Sequence, residues 1–203
     1  WESWYLSTGR VFAGFIAAMV LGIPFGLCLA VNRYFHDIFF PPFEVLRPIP
    51  PLAWVPASIV FWPTTELSIA FVTFLGAFFT IVINVLGGAR SIDIRYLRAA
   101  QSMGATQWDL FRKIILPGTL PSIFTGAAVG MGITWEVVLA GEMISGGGQQ
   151  GGGGLGFFIW SSYMGGTVAQ VIVGMISIGI AGYLSSSLIR YIGSIAMPWR
   201  RLF

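Results

Sequence analysis

Arg98–Pro117 reads RAAQSMGATQWDLFRKIILP, a dense cluster of charge and polarity in a chain that is 56% hydrophobic and 9% charged. Gly104 can take a positive φ and end a helix, and Thr106 with Asp109 three residues later is a capping-box pattern that starts the next one. The stretch therefore predicts a helix, a sharp turn and a second helix. Long apolar runs lie on either side of it.

Working outward, Val11–Val31, Leu67–Ala89, Leu116–Trp135 and Met164–Ile189 are each long enough to cross a hydrocarbon core of ~30 Å as a helix. Pro48–Thr65 is read as a fifth, proline-interrupted crossing. So many apolar helices in 203 residues leave no polar surface to cover them in water. The expected fold is an all-α membrane protein, a polytopic helical bundle with five transmembrane helices and a cytoplasmic helix–turn–helix. It is read as one domain over 1–203, with the polar loop at about 90–117 and a glycine-rich outer loop at about 143–163.

Lys and Arg are enriched in cytoplasmic loops, so the side holding Arg90, Arg95, Arg98, Arg112 and Lys113 is assigned to the cytoplasm. Counting crossings from there puts Arg33, Arg190, Arg200 and Arg201 on that side as well, and leaves Glu2, Glu66 and Arg10 outside. A start at Trp1 rather than Met leads to the expectation of a further crossing before it, six in the full chain.

Several chemistries are excluded. One cysteine, Cys28, gives neither a disulfide framework nor a thiol metal site, and the lone His36 makes no metal site either. The only lysine, Lys113, follows Arg112, so no phosphate-binding ATPase loop is present, and G-x-S-x-G and H-E-x-x-H are both missing. Catalytic residues, a metal and a cofactor are not expected in this chain, nor is nucleic-acid binding.

Other segments leave alternatives open. RPIPPLAWVP, Arg47 to Pro56, holds four prolines in ten residues. Broken backbone at membrane depth is buried or lines a wet cavity, which makes Arg47, Pro48, Pro50, Pro51 and Trp54 candidates for a gate or pathway; an interfacial elbow reads equally well. Trp135, Glu136 and Glu142 lie toward the outer end of one run, as pathway groups or as carboxylates bonded at the interface. Ile144–Trp160, rich in glycine, reads as a flexible linker that ends in an aromatic cluster. No basic residue falls mid-run, so selection is expected to lie outside the pathway.

The order Ala99-Ala100, three residues, Gly104, nine residues, Ile114, one residue, Leu116-Pro117 resembles the EAA loop of permease subunits from bacterial ATP-binding-cassette importers. Arg98 departs from the glutamate usual there. The succession of an apolar span, RPIPPLAWVP, another span, this loop and two more spans is similar to the nitrate, sulfonate, taurine and bicarbonate branch, over essentially the whole chain.

The resemblance implies a type I permease in the bacterial cytoplasmic (inner) membrane that is not itself an enzyme. It implies a second permease subunit in a homodimer, two cytoplasmic ATPase subunits that hold ATP and Mg, an extracytoplasmic substrate-binding protein, and a small anion as cargo. Leu97, Arg98, Ala99, Ala100, Gly104, Ala105, Thr106, Trp108, Phe111 and Pro117 would then form the ATPase-coupling surface. A secondary transporter or channel subunit without an ATPase is the alternative, and copurification of an ATPase separates the two.

Overall fold

The computed structural model describes residues 2–144 and 153–199. Within these, every regular element is helical: α1 Glu2–Val31, α2 Arg33–Leu46, α3 Val55–Phe61, α4 Thr65–Arg90, α5 Ile94–Ser102, α6 Gln107–Leu110, α7 Leu116–Ile144, α8 Leu155–Met164 and α9 Val168–Ala196. Four continuous helices are long and apolar enough to cross a membrane: α1, α4, α6 running into α7, and α9. Even the 26-residue α4 reaches about 39 Å at 1.5 Å per residue.

Small residues set how these helices meet. Gly14 lies against Thr73, Gly22 against Ile81 and Gly26 against Val85, with the same offset each time, so α1 and α4 run parallel. Gly88 meets Ser122, Gly126 meets Asn84 and Gly141 meets Ile69, which makes α4 and α7 antiparallel. Likewise Gly193 on Phe124 and Gly182 beside Trp135 set α9 antiparallel to α7. Lipid is as apolar as leucine, so close backbone approach at such sites is what drives these contacts. The interior is Ala18, Ala77, Ile81, Val85, Ala127, Met131 and Val138, all fully or nearly buried.

Two parallel helices joined in sequence require the chain to return between them. The expected fifth crossing, Pro48–Thr65, is not the helix that does so. It contains a 3₁₀ turn, Pro51–Trp54, and the seven-residue α3. Eleven helical residues span about 16 Å, half the hydrocarbon thickness. Prolines at 48, 50 and 51 remove N–H donors and hold the preceding residues extended, so regular helix begins only at Val55. The first half of the return is α2, capped by the Asn32 side chain on the Phe35 N–H at 3.1 Å. Phe35 and Phe43 both pack on Phe25 of α1, and Phe43 also on Phe79 of α4. Further on, Val55 packs with Val72, and Ser68 Oγ donates to the Ser58 carbonyl at 3.0 Å. Residues 33–64 thus run back along α4 as two short helices around a proline-rich bend.

These directions give the bundle two ends. One holds Arg33, Arg90, α5, α6, Arg112, Lys113 and Arg190; the other holds Glu2, Thr65, Ile144, α8 and Val168. The linker reading of Ile144–Trp160 fails for its last part, because Leu155–Met164 is α8, packed by Ile159 on Gly174 of α9. The rest of that reading, residues 145–152, lies outside the described residues.

Candidate functional site

At the basic end, α5 and α6 form a compact hairpin. Asp93 caps α5, its side chain accepting the Arg95 N–H at 2.8 Å. The pairing with the Arg95 guanidinium, at 2.6 Å, and this backbone bond hold the Asp93 carboxyl below the usual carboxylate range. The helix ends in a Schellman turn: Gly104 has φ +84°, its N–H donates to the Gln101 carbonyl, and the Ala105 N–H donates to Ala100 at 3.0 Å. The predicted capping box is present, with Thr106 Oγ1 accepting the Asp109 N–H and Asp109 accepting the Thr106 N–H, each at 3.2 Å. Lys113 pairs with Asp109 at 2.7 Å.

Between α6 and α7 the backbone widens into one π-type turn, Phe111–Ile115, closed by the Leu116 N–H on the Phe111 carbonyl. Pro117 has no N–H to give the ladder, and the wide turn accommodates that loss without ending the helix. The hairpin is therefore a continuous extension of a membrane-long helix. Ile94, Tyr96, Met103 and Trp108 are all exposed on it, and Trp108 stacks on Phe111 with centroids 5.7 Å apart. Ala99 is exposed, whereas Ala100 is 9% exposed and lines a small groove together with Ala105 and Ile114.

A second feature lies halfway along the bundle. A groove of about 320 Å³ is lined by Arg47, Ile49 and Pro51 from the bend, Leu75 to Ile83 from the middle of α4, and Val129 and Ile133 from α7. Arg47 therefore sits at mid-depth, half exposed, with Glu44 3.7 Å away. Sequence reading named Arg47 a gate or pathway candidate yet counted no basic residue within a run, because hydropathy treats Arg47 as the edge of one. Glu136 is exposed on the same α7 stripe as Val129 and Ile133. Trp54 flanks the bend, and its buried Nε1 has no hydrogen-bond partner among the described residues.

Trp135 and Glu142 do not join this groove. Trp135 is buried and donates to Ser185 Oγ of α9 at 3.0 Å. Glu142 is sealed at 0% exposure at the opposite end from the hairpin. There it accepts Arg10 Nη1 at 2.8 Å, Ser7 Oγ at 2.7 and 2.9 Å, and the Gly156 N–H at 2.9 Å. Arg10 also makes a two-point pair with Glu66.

The chain's likeness to known proteins shows what kind of protein carries these features. Residues 18–199 match the family model described as the binding-protein-dependent transport system inner membrane component. The chain belongs to that family. This permease is 36% identical over 194 residues to the nitrate import permease protein NrtB of Synechocystis sp., covering 96% of this chain and 69% of that one. Against the taurine transport system permease protein TauC of Escherichia coli the figures are 31% over 199 residues, 98% and 70%. Its fold is that of a solved inward-facing structure of the MetNI methionine transporter, with TM-score 0.73 and 23% identity over 96% of this chain and 92% of that one.

The permease is thus a multi-pass inner-membrane subunit of an ATP-binding-cassette importer, and family membership brings with it an ATPase and a binding protein as partners. ATP hydrolysis is not its own reaction. Sequence reasoning found the hairpin and singled out Glu142 at the outer end, but missed that Ser7, Arg10 and Glu66 join it in one cluster. The signal was available: Arg10 is the single charge between Glu2 and Arg33, and an isolated arginine in so apolar a run needs carboxylate partners.

Proposed function

We propose that the permease pairs with a second copy around a pathway lined by the Arg47 groove, passes a small anion, and moves in response to two ATPases seated on the α5–α6 hairpin. The observation that carries the anion reading is Arg47 at mid-depth on an open groove. A guanidinium at that depth is stable only where water or a partner reaches it, and it offers a planar set of donors to nitrate, bicarbonate or a sulfonate. Proteins named for nitrate, bicarbonate and taurine transport among its relatives support the same class. The break in the returning segment supports it too, since irregular backbone at membrane depth lines cavities.

On this reading the hairpin transmits motion. α6 is continuous with α7 through the π-type turn, so an ATPase that displaces Trp108 and Met103 tilts α7 against α4, and the groove between them opens or closes. Proteoliposomes holding the assembled importer test the anion reading. Arg47→Gln is expected to reduce uptake of nitrate, bicarbonate or taurine at least 10-fold, with Arg47→Lys intermediate. Uptake equal to the parent's for all three in Arg47→Gln defeats it.

A further inference from the structure

The outer ion cluster is built around the start of α8. Glu142 Oε2 accepts the Gly156 N–H, and the Leu155 N–H donates to Ser7 Oγ at 2.9 Å, so α1 and α7 together supply the acceptors that α8's first turn lacks. The fit is steric as well. A Cβ on Gly154 would overlap the Glu142 carboxylate, and one on Gly156 would overlap the Leu139 carbonyl. Only glycine lets the backbone come this close.

Charge gives the arrangement its direction. Arg10 faces two carboxylates, Glu66 and Glu142, and the positive end of α8 offsets part of the negative excess. Lifting α8 away deprives a buried carboxylate of the Gly156 N–H and Ser7 of the Leu155 N–H, so the docked position is preferred. Beyond the anchor, α8 displays Trp160, Tyr163 and Met164 on the outer surface.

We propose that Glu142 is a positioning residue: with Ser7 and Arg10 it anchors α8 to α1, α4 and α7, so that force on the outer face of α8 passes into the helices that end at the coupling hairpin. The proposal rests on the importer reading for the source of that force, the substrate-binding protein. It makes α8 the outer counterpart of the α5–α6 hairpin. The same α7 that begins at the hairpin ends at Glu142.

The test uses the complete importer in nanodiscs, with Glu142→Gln and Gly154→Ala compared with the parent. Gly154→Ala keeps every charged group of the cluster and acts by steric overlap with the Glu142 carboxylate, so the two variants loosen the same contact by different means. Amide exchange at residues 155–158 is expected to rise at least 10-fold in both, with α4 and α7 unchanged, and stimulation of ATP hydrolysis by the binding protein is expected to fall at least 5-fold. Unchanged exchange in α8 overturns the anchor. Equal loosening of α4 and α7 reduces the cluster to a general fold element and overturns the proposal, as does a loosened α8 with full stimulation. Absence of stimulation in the parent counts against the importer reading, while the exchange measurement still decides the anchor.

Discussion

The Ala105 N–H donates to the Ala100 carbonyl at 3.0 Å, and that bond closes over Gly104 at φ +84°. A Cβ at Gly104 would meet no atom within 4 Å, so the position selects glycine through its backbone conformation rather than through space. Gly104→Val is expected to cost ~1–2 kcal/mol in the turn and to redirect α6. Gly104→Asn, which tolerates the left-handed region, is expected to behave like the parent. The ATPase-to-permease ratio after purification separates the two, and a full complement with Gly104→Val defeats the argument.

Ala99 and Ala100 differ although they are adjacent. Ala100 is only 9% exposed, so Ala100→Leu is expected to destabilise the isolated permease by ~1–3 kcal/mol. Ala99 is exposed, so Ala99→Leu is expected to leave permease stability unchanged and to weaken ATPase retention. Thermal unfolding of the permease alone, set beside copurification, reads both. Equal effects of the two substitutions on stability would show that the pair does not divide in this way.

Trp108 is 67% exposed and stacks on Phe111 on the hairpin's outer side. Its removal leaves little intrachain packing to lose. Trp108→Ala is expected to change permease stability by less than about 0.5 kcal/mol and ATPase affinity by ~2 kcal/mol, roughly 30-fold. Titration of the ATPase onto immobilised permease gives the affinity, and a change under about 3-fold removes Trp108 from the interface.

The Asp93 cap has a defined pH response. Its carboxyl titrates lower in the folded hairpin than in the unfolded chain, because Arg95 donates to it from side chain and backbone. A depressed acid contributes stability above its unfolded pKa and loses it as pH falls through the folded value. Protection of the first turn of α5, corrected for intrinsic exchange, is therefore expected to be flat from about pH 6 to 8 and to fall only below the usual carboxylate range. A drop centred near neutral pH contradicts the assignment.

The sequence made the hairpin legible because its signals are local. Gly104, Thr106 and Asp109 specify their turn and cap within six residues, and the structure carries each bond they imply. The four long helices were legible from hydropathy for the same reason. The return segment was not, since Arg33, Asp37, Glu44 and Arg47 interrupt its apolar pattern and Pro41 and Pro42 argue against a helix that α2 nevertheless forms. Its helicity follows from packing of Phe35 and Phe43 on Phe25, a tertiary contact. Glu142 was visible as an oddity, yet its partners lie 132 and 135 positions away, beyond any reading of spacing.

Close helix approach gives the last prediction, and it reverses sign along one helix. Glycine to alanine in a helix interior gains ~1 kcal/mol in backbone preference wherever the added methyl has room. Gly9 of α1 has open space around it. Gly26, lower on the same helix, has none, because a Cβ there would lie 2.9 Å from Val85 Cβ and 3.1 Å from the Val82 carbonyl of α4. The backbone oxygen cannot rotate away, so α1 must shift. Gly26→Ala is therefore expected to destabilise the bundle by ~1–3 kcal/mol, while Gly9→Ala is neutral or stabilising. Reversible unfolding in mixed micelles measures both on one scale. Should Gly26→Ala prove as stable as Gly9→Ala, the α1–α4 contact is looser than drawn, and the parallel packing that forces residues 33–64 back along α4 loses its main support.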